Sequence, residues 1–103
     1  MGKYVFIYYD QADPGDAPDK DSMEAWNSWF GQLGDKLLDG GNPFADGGKA
    51  VERSGVTTIE NFPATGYTIV KADSIDEATE LAKTCPLLLS EHAAVRVYEA
   101  LPM

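Results

Sequence analysis

Three side chains could move a proton near neutral pH from points where the chain changes direction: Glu24 in "DSMEAW", Asp39 in "LLDGGNPF" and His92 in "SEHAAV". His92, with an unperturbed pKa of about 6.5, is the natural shuttle of the three, although an ordinary loop histidine beside Glu91 would look the same. Glu24 can equally support a helix cap. Asp39 falls at the predicted end of a helix, where a carboxylate is disfavoured by roughly 0.3 to 1 kcal/mol, so helix stability gives no reason for it. Tyr8, Tyr9, Asp10, Trp26, Asn42 and Lys71 would supply the aromatic walls, amide and charge that a small polar or aromatic ligand needs.

Stronger signatures are missing. The sequence has no paired-cysteine metal motif, no phosphate-binding glycine loop before a helix and no helical histidine pair. With one His and one Cys it could build a zinc site only by recruiting several carboxylates, so neither metal nor cofactor is expected. The formal charge of −9 argues against nucleic acid and anionic membranes as partners. No apolar run approaches the roughly 20 residues of a membrane-spanning helix. The start, "MGKYVFIYYD", does not read as a signal peptide, and a lone Cys85 suits a reducing compartment, so a cytoplasmic protein is expected.

The 103 residues suggest one domain over 1–103, small enough that oligomerisation would help cover its surface. "KYVFIYY" (3–9) is apolar on both alternating faces, the pattern of a strand covered on both sides. Residues 10–20 are rich in Asp, Pro and Gly and read as a loop, with a lid as the functional alternative. A helix is predicted from Asp21 or Ser22, carrying an apolar stripe of Met23, Trp26, Phe30, Leu33 and Leu37, widened by Trp29 and Leu38. It should stop at Asp39, before Gly40, Gly41 and Pro43. Because Trp26 and Trp29 are three apart, one of them could border a cleft. "KAVERS" and "VTTIEN" fit a hairpin or a bent edge strand. "GYTIVKA" (66–72) is a second strand. Ser74 and Glu77 have capping-box spacing at the head of a helix that buries Ile75, Ala78, Leu81, Ala82 and Cys85 and stops at Pro86. "AVRVYEA" is the last strand.

The order βαββαβ, with one apolar stripe per helix, packs most economically as an antiparallel sheet with both helices on one face, a ferredoxin-like α+β fold. Helices cover only one side of such a sheet, so the two-faced first strand predicts a second copy on the other side, a homodimer. The ends of the first and third strands and the start of the last would then gather Tyr8, Tyr9 and Asp10 near Lys71 and His92, with Glu24 above them.

"LGDKLLDGGNPF", "GYTIVKADSIDEATELAKTCP" and "VRVYEALPM", in that order and spacing, resemble the YCII-related family of small bacterial proteins, including its DGPF branch. The resemblance implies a dimeric α/β barrel of ferredoxin-like protomers. For the members thought to be enzymes it implies an acid/base pair of a histidine near the start of the first helix and a nearby Asp. Here the histidine position falls at about Glu24, and that helix contains no His. Two readings stay open: a small-molecule-binding protein that lacks the imidazole, and an enzyme of proton transfer or elimination that uses Glu24, Asp39 or His92.

Overall fold

The computed structural model describes residues 2–10 and 20–102, with side chains from 23 onward in the second segment. Most of the predicted 10–20 loop therefore lies outside the described residues, as do the Asp21 and Ser22 side chains on which the predicted cap rests. Strand β1 is Gly2–Tyr9, helix α1 Lys20–Leu33 and strand β2 Leu37–Asp39. Strands β3 (Lys49–Glu52) and β4 (Gly55–Thr58) form a hairpin of their own. Strand β5 is Ala64–Ala72, helix α2 Ile75–Lys83 and strand β6 Ala94–Ala100. The main sheet is antiparallel throughout, in the order β2-β5-β1-β6, and both helices cover the same face. This is the ferredoxin-like α+β arrangement, with the hairpin inserted after β2.

Side-chain alternation decides which face is covered. Tyr4, Phe6 and Tyr8 of β1 and Thr68, Val70 and Ala72 of β5 are buried toward the helices, and Phe6 and Val70 are fully buried. From α1, Trp29 and Leu33 complete the core, with the Trp29 ring 6.3 Å from Phe6 and its indole N–H donating to Thr84 Oγ1 at 2.8 Å. From α2 come Ala78 and Ala82, with Cys85 just beyond the helix. Ser74 caps α2 as its sequence predicts, its Oγ accepting from the Glu77 N–H at 3.1 Å.

Three expectations need correction. The first helix ends at Leu33, six residues before Asp39, because Gly34 takes the left-handed φ of +54° that stops a helix; after one 3-10 turn the chain enters β2. The stripe on α1 centres on Trp29 and Leu33, leaving Met23 and Leu38 exposed, and Ile75 of α2 is exposed as well. Lys71 is not at the Tyr9 end of the sheet. Antiparallel pairing sets it beside Lys3, while Tyr9 pairs with Ala64, roughly 20 Å away at about 3.4 Å per residue.

The turn after β2 crosses β5 at very short range. Gly41 has φ +74°, and a Cβ there would lie 1.7 Å from the Tyr67 carbonyl oxygen. In urea unfolding, Gly41→Ala should cost more than about 2 kcal/mol, since steric overlap and a left-handed backbone act together. Gly31→Ala, in open space on α1, should gain up to about 1 kcal/mol. A near-neutral Gly41→Ala would contradict this account of the turn.

Candidate functional site

Beside that turn, between α1 and the sheet, lies a cavity of about 300 Å³. Trp26 and Phe30 form its helix wall and Tyr8, Gly66 and Thr68 its floor, with Gly40 to Pro43 along one side and Leu87 at another. The rings brace one another: Trp26 meets Tyr8 edge-on at 5.3 Å and Phe30 at 5.8 Å. A volume at the lower end of the ligand-pocket range, with mostly apolar walls and few polar atoms, suits a small planar molecule.

Local backbone irregularity makes this space. The β1/β5 register slips between Tyr8, opposite Gly66, and Tyr9, opposite Ala64, so Thr65 is the extra residue of a bulge. Its hydroxyl donates to the Tyr8 carbonyl at 3.4 Å, and its carbonyl accepts from the Phe44 N–H at 2.8 Å, which ties the turn to the bulge. Gly66 keeps the floor low: a Cβ there would sit 3.1 Å from the Asn42 carbonyl and 3.6 Å from the Tyr8 ring.

Two polar side chains are set into the apolar floor. The Tyr8 hydroxyl donates to Thr68 Oγ1 at 2.6 Å, and the Thr68 hydroxyl donates to the Gly40 carbonyl at 3.1 Å. Burial pushes the Tyr8 phenol well above its ordinary value; the Thr68 bond offsets part of this, and the neighbouring Cys85 thiol adds to it. The Cys85 thiol is pushed up to about 11 by burial, against the lowering effects of the Leu87 backbone and Tyr8. Both groups stay protonated at neutral pH.

Of the nine side chains singled out from the sequence, Tyr8, Trp26 and Asn42 meet at this cavity. The other six do not line it. Glu24 and His92 are exposed, on α1 and in the turn before β6. Asp39 is exposed and accepts from the Gly41 N–H at 2.9 Å, an Asx turn that accounts for the residue without chemistry. Tyr9 lies on the opposite sheet face, stacked on Phe62 at 5.8 Å with the Arg96 guanidinium 4.6 Å from its ring. Asp10 accepts from Ser90 Oγ at 3.1 Å. Lys71 is at the far end of the sheet. Phe30, Thr65, Gly66 and Thr68 were missed, although a signal for Thr68 existed: it is the one polar residue on the inner period-two face of "GYTIVKA".

A second groove of about 460 Å³ lies on the other side of α1, by Gln32, Lys83 and Cys85. It is more open and shows none of the first cavity's facing aromatic walls. Among the described residues no cluster of His, Cys, Asp and Glu could hold a metal ion, and no helix is long and apolar enough to cross a membrane.

The same fold occurs in 5-chloro-2-hydroxyhydroquinone dehydrochlorinase (TftG) from Burkholderia phenoliruptrix AC1100, solved in complex with 2,5-dihydroxybenzoquinone. The two chains are 21% identical over 91% of this chain and 90% of that one, with a TM-score of 0.54, a likeness that establishes the fold. No family model and no curated protein matches the sequence.

The buried thiol and phenol make stability fall in alkali. Unfolded, the thiol titrates at its ordinary 9.0, whereas in the fold it titrates near 11. Over that window the folded state holds a proton that the unfolded state has lost, so stability is complete below pH 9 and declines as pH rises; Tyr8 extends the decline above its ordinary value of 10.0. Urea unfolding against pH should show this fall, and Cys85→Ala should flatten its lower part. An unchanged profile in Cys85→Ala would contradict the assignment.

Proposed function

We propose that this chain is a single-domain, YCII-related protein that binds a small planar aromatic molecule between α1 and the sheet and works as a homodimer. One observation carries the binding reading: an apolar cavity walled by Trp26, Phe30 and Tyr8 retains a hydrogen-bonded pair of hydroxyls, Tyr8 and Thr68, in its floor. Polar atoms held inside an apolar pocket orient ligands. The fold neighbour's ligand, 2,5-dihydroxybenzoquinone, is a planar molecule of the size such a cavity takes.

The dimer draws on the other sheet face. Val5, Ile7, Tyr67 and Ile69 form a contiguous patch there, covered by no helix among the described residues. The described molecule measures 39 × 38 × 19 Å, a plate about one sheet and one helix layer thick. A second sheet packed against the patch would supply the missing layer.

An acid/base reading, proton transfer or elimination, draws on the neighbour's name as a dehydrochlorinase. Against it, no carboxylate or imidazole lines the cavity among the described residues, and its phenol and the adjacent thiol are held protonated. The binding reading is therefore preferred.

A panel of small planar aromatics should quench the indole fluorescence saturably. Trp26→Leu should weaken binding at least about tenfold, while Glu24→Gln, Asp39→Asn and His92→Gln leave it within about twofold. Turnover of any ligand that depends on one of those three titrating residues would favour the enzyme. In light scattering after size exclusion the protein should run as a dimer and Ile7→Lys as a monomer. A wild-type monomer at every concentration would contradict the second layer.

A further inference from the structure

The cavity's floor has a polarity as well as a shape, and hydrogen-bond bookkeeping fixes its direction. A backbone carbonyl can only accept, so the Thr68 hydroxyl, 3.1 Å from the Gly40 oxygen, is the donor there. With its single proton used, Thr68 can only accept at its 2.6 Å contact with Tyr8. The sole phenolic proton of Tyr8 is thus committed to Thr68, with the Cys85 thiol as the other polar group beside the phenol. Thr65 repeats the pattern, since its hydroxyl proton goes to the Tyr8 carbonyl at 3.4 Å. Every hydroxyl proton around the floor is committed to the protein, and the oxygens of Tyr8 and Thr65 keep only lone pairs for a visitor.

We propose that Thr68 is a specificity-determining residue: by holding the Tyr8 proton it makes the floor an acceptor, so the cavity selects aromatic ligands that donate, phenols above all, over ring ethers that only accept. The selection rests on the binding reading above. It follows from the cost of opposing two acceptors in an apolar site, where neither can turn to water for a proton. A site built to pair with a ligand hydroxyl discriminates strongly against an analogue that lacks it. Asn42, exposed at the rim, can donate or accept and leaves this selection to the floor.

Phenol and anisole separate donor from acceptor with little change of shape. Amide chemical-shift titrations should find phenol bound at least about fivefold more tightly than anisole by the wild-type protein. Thr68→Val is close to isosteric and releases the Tyr8 proton from Thr68; combined with Cys85→Ala, so that the thiol beside the phenol cannot take the proton instead, it lets that proton point into the cavity. It should cut the ratio below about twofold, by strengthening anisole binding as well as weakening phenol. Thr68→Ala releases the same proton and should lower the ratio too, which keeps the test available if the valine variant unfolds. Equal wild-type affinities, or a preference that survives Thr68→Val combined with Cys85→Ala, would overturn the polarity while leaving the cavity a binding site. Binding of neither probe at the residues around Trp26 would overturn the cavity reading and this proposal together.

Discussion

The chain passes from β2 to its hairpin through a point where only glycine fits: any side chain on Gly41 would overlap the Tyr67 carbonyl. That close approach determines much of what surrounds it. It lays Gly40 to Pro43 along β5, lets Pro43 bridge to Gly66 and brings the Gly40 carbonyl within reach of Thr68. One wall of the cavity is therefore backbone. It is held by the Asx turn of Asp39 on one side and by the Thr65 carbonyl to Phe44 bond on the other. A wall of this kind keeps its shape without needing side chains to order.

The cavity survives in a small core because its neighbours are large and mutually braced. Trp29 fills the middle of the helix–sheet layer against Phe6, while Trp26, one step round α1, leans on Tyr8 and on Phe30 without closing the gap above Gly66. Filling the gap would have required a side chain at Gly66, and the Asn42 carbonyl stands 3.1 Å from where its Cβ would be. The Tyr8–Thr68–Gly40 chain then satisfies the polar atoms of the floor without calling on water. Packing and hydrogen bonding thus agree on leaving an apolar hollow with an acceptor in its base.

Period-two alternation over 3–9 and 66–72, the Ser74–Glu77 cap and the breaking power of Pro86 were legible because each is a local signal with one reading. β2 was not legible. Three residues are too few to show a strand period, and Leu37 lies four residues after Leu33, so the helical stripe absorbed it. Gly34 is the true stop, but the more conspicuous pair Gly40–Gly41 drew the boundary onward. Moving that boundary also removes the puzzle of Asp39, which ends a strand and closes a turn instead of opposing a helix dipole. At the site, aromatic and amide residues near turns were legible as candidates. The titratable candidates Glu24, Asp39 and His92 are exposed and lie outside the cavity lining, while Thr68 carries no charge to attract notice and stands out only through its place in the register.

Crystals soaked with a small phenol test the central claim most directly, because electron density reports both the place and the orientation of a bound ring. The account predicts the ring between Trp26 and Tyr8, its hydroxyl directed at the Tyr8 oxygen and the Tyr8–Thr68 bond intact. Density confined to the groove by Cys85 or to the outer sheet face, with the Trp26 cavity empty, would contradict it.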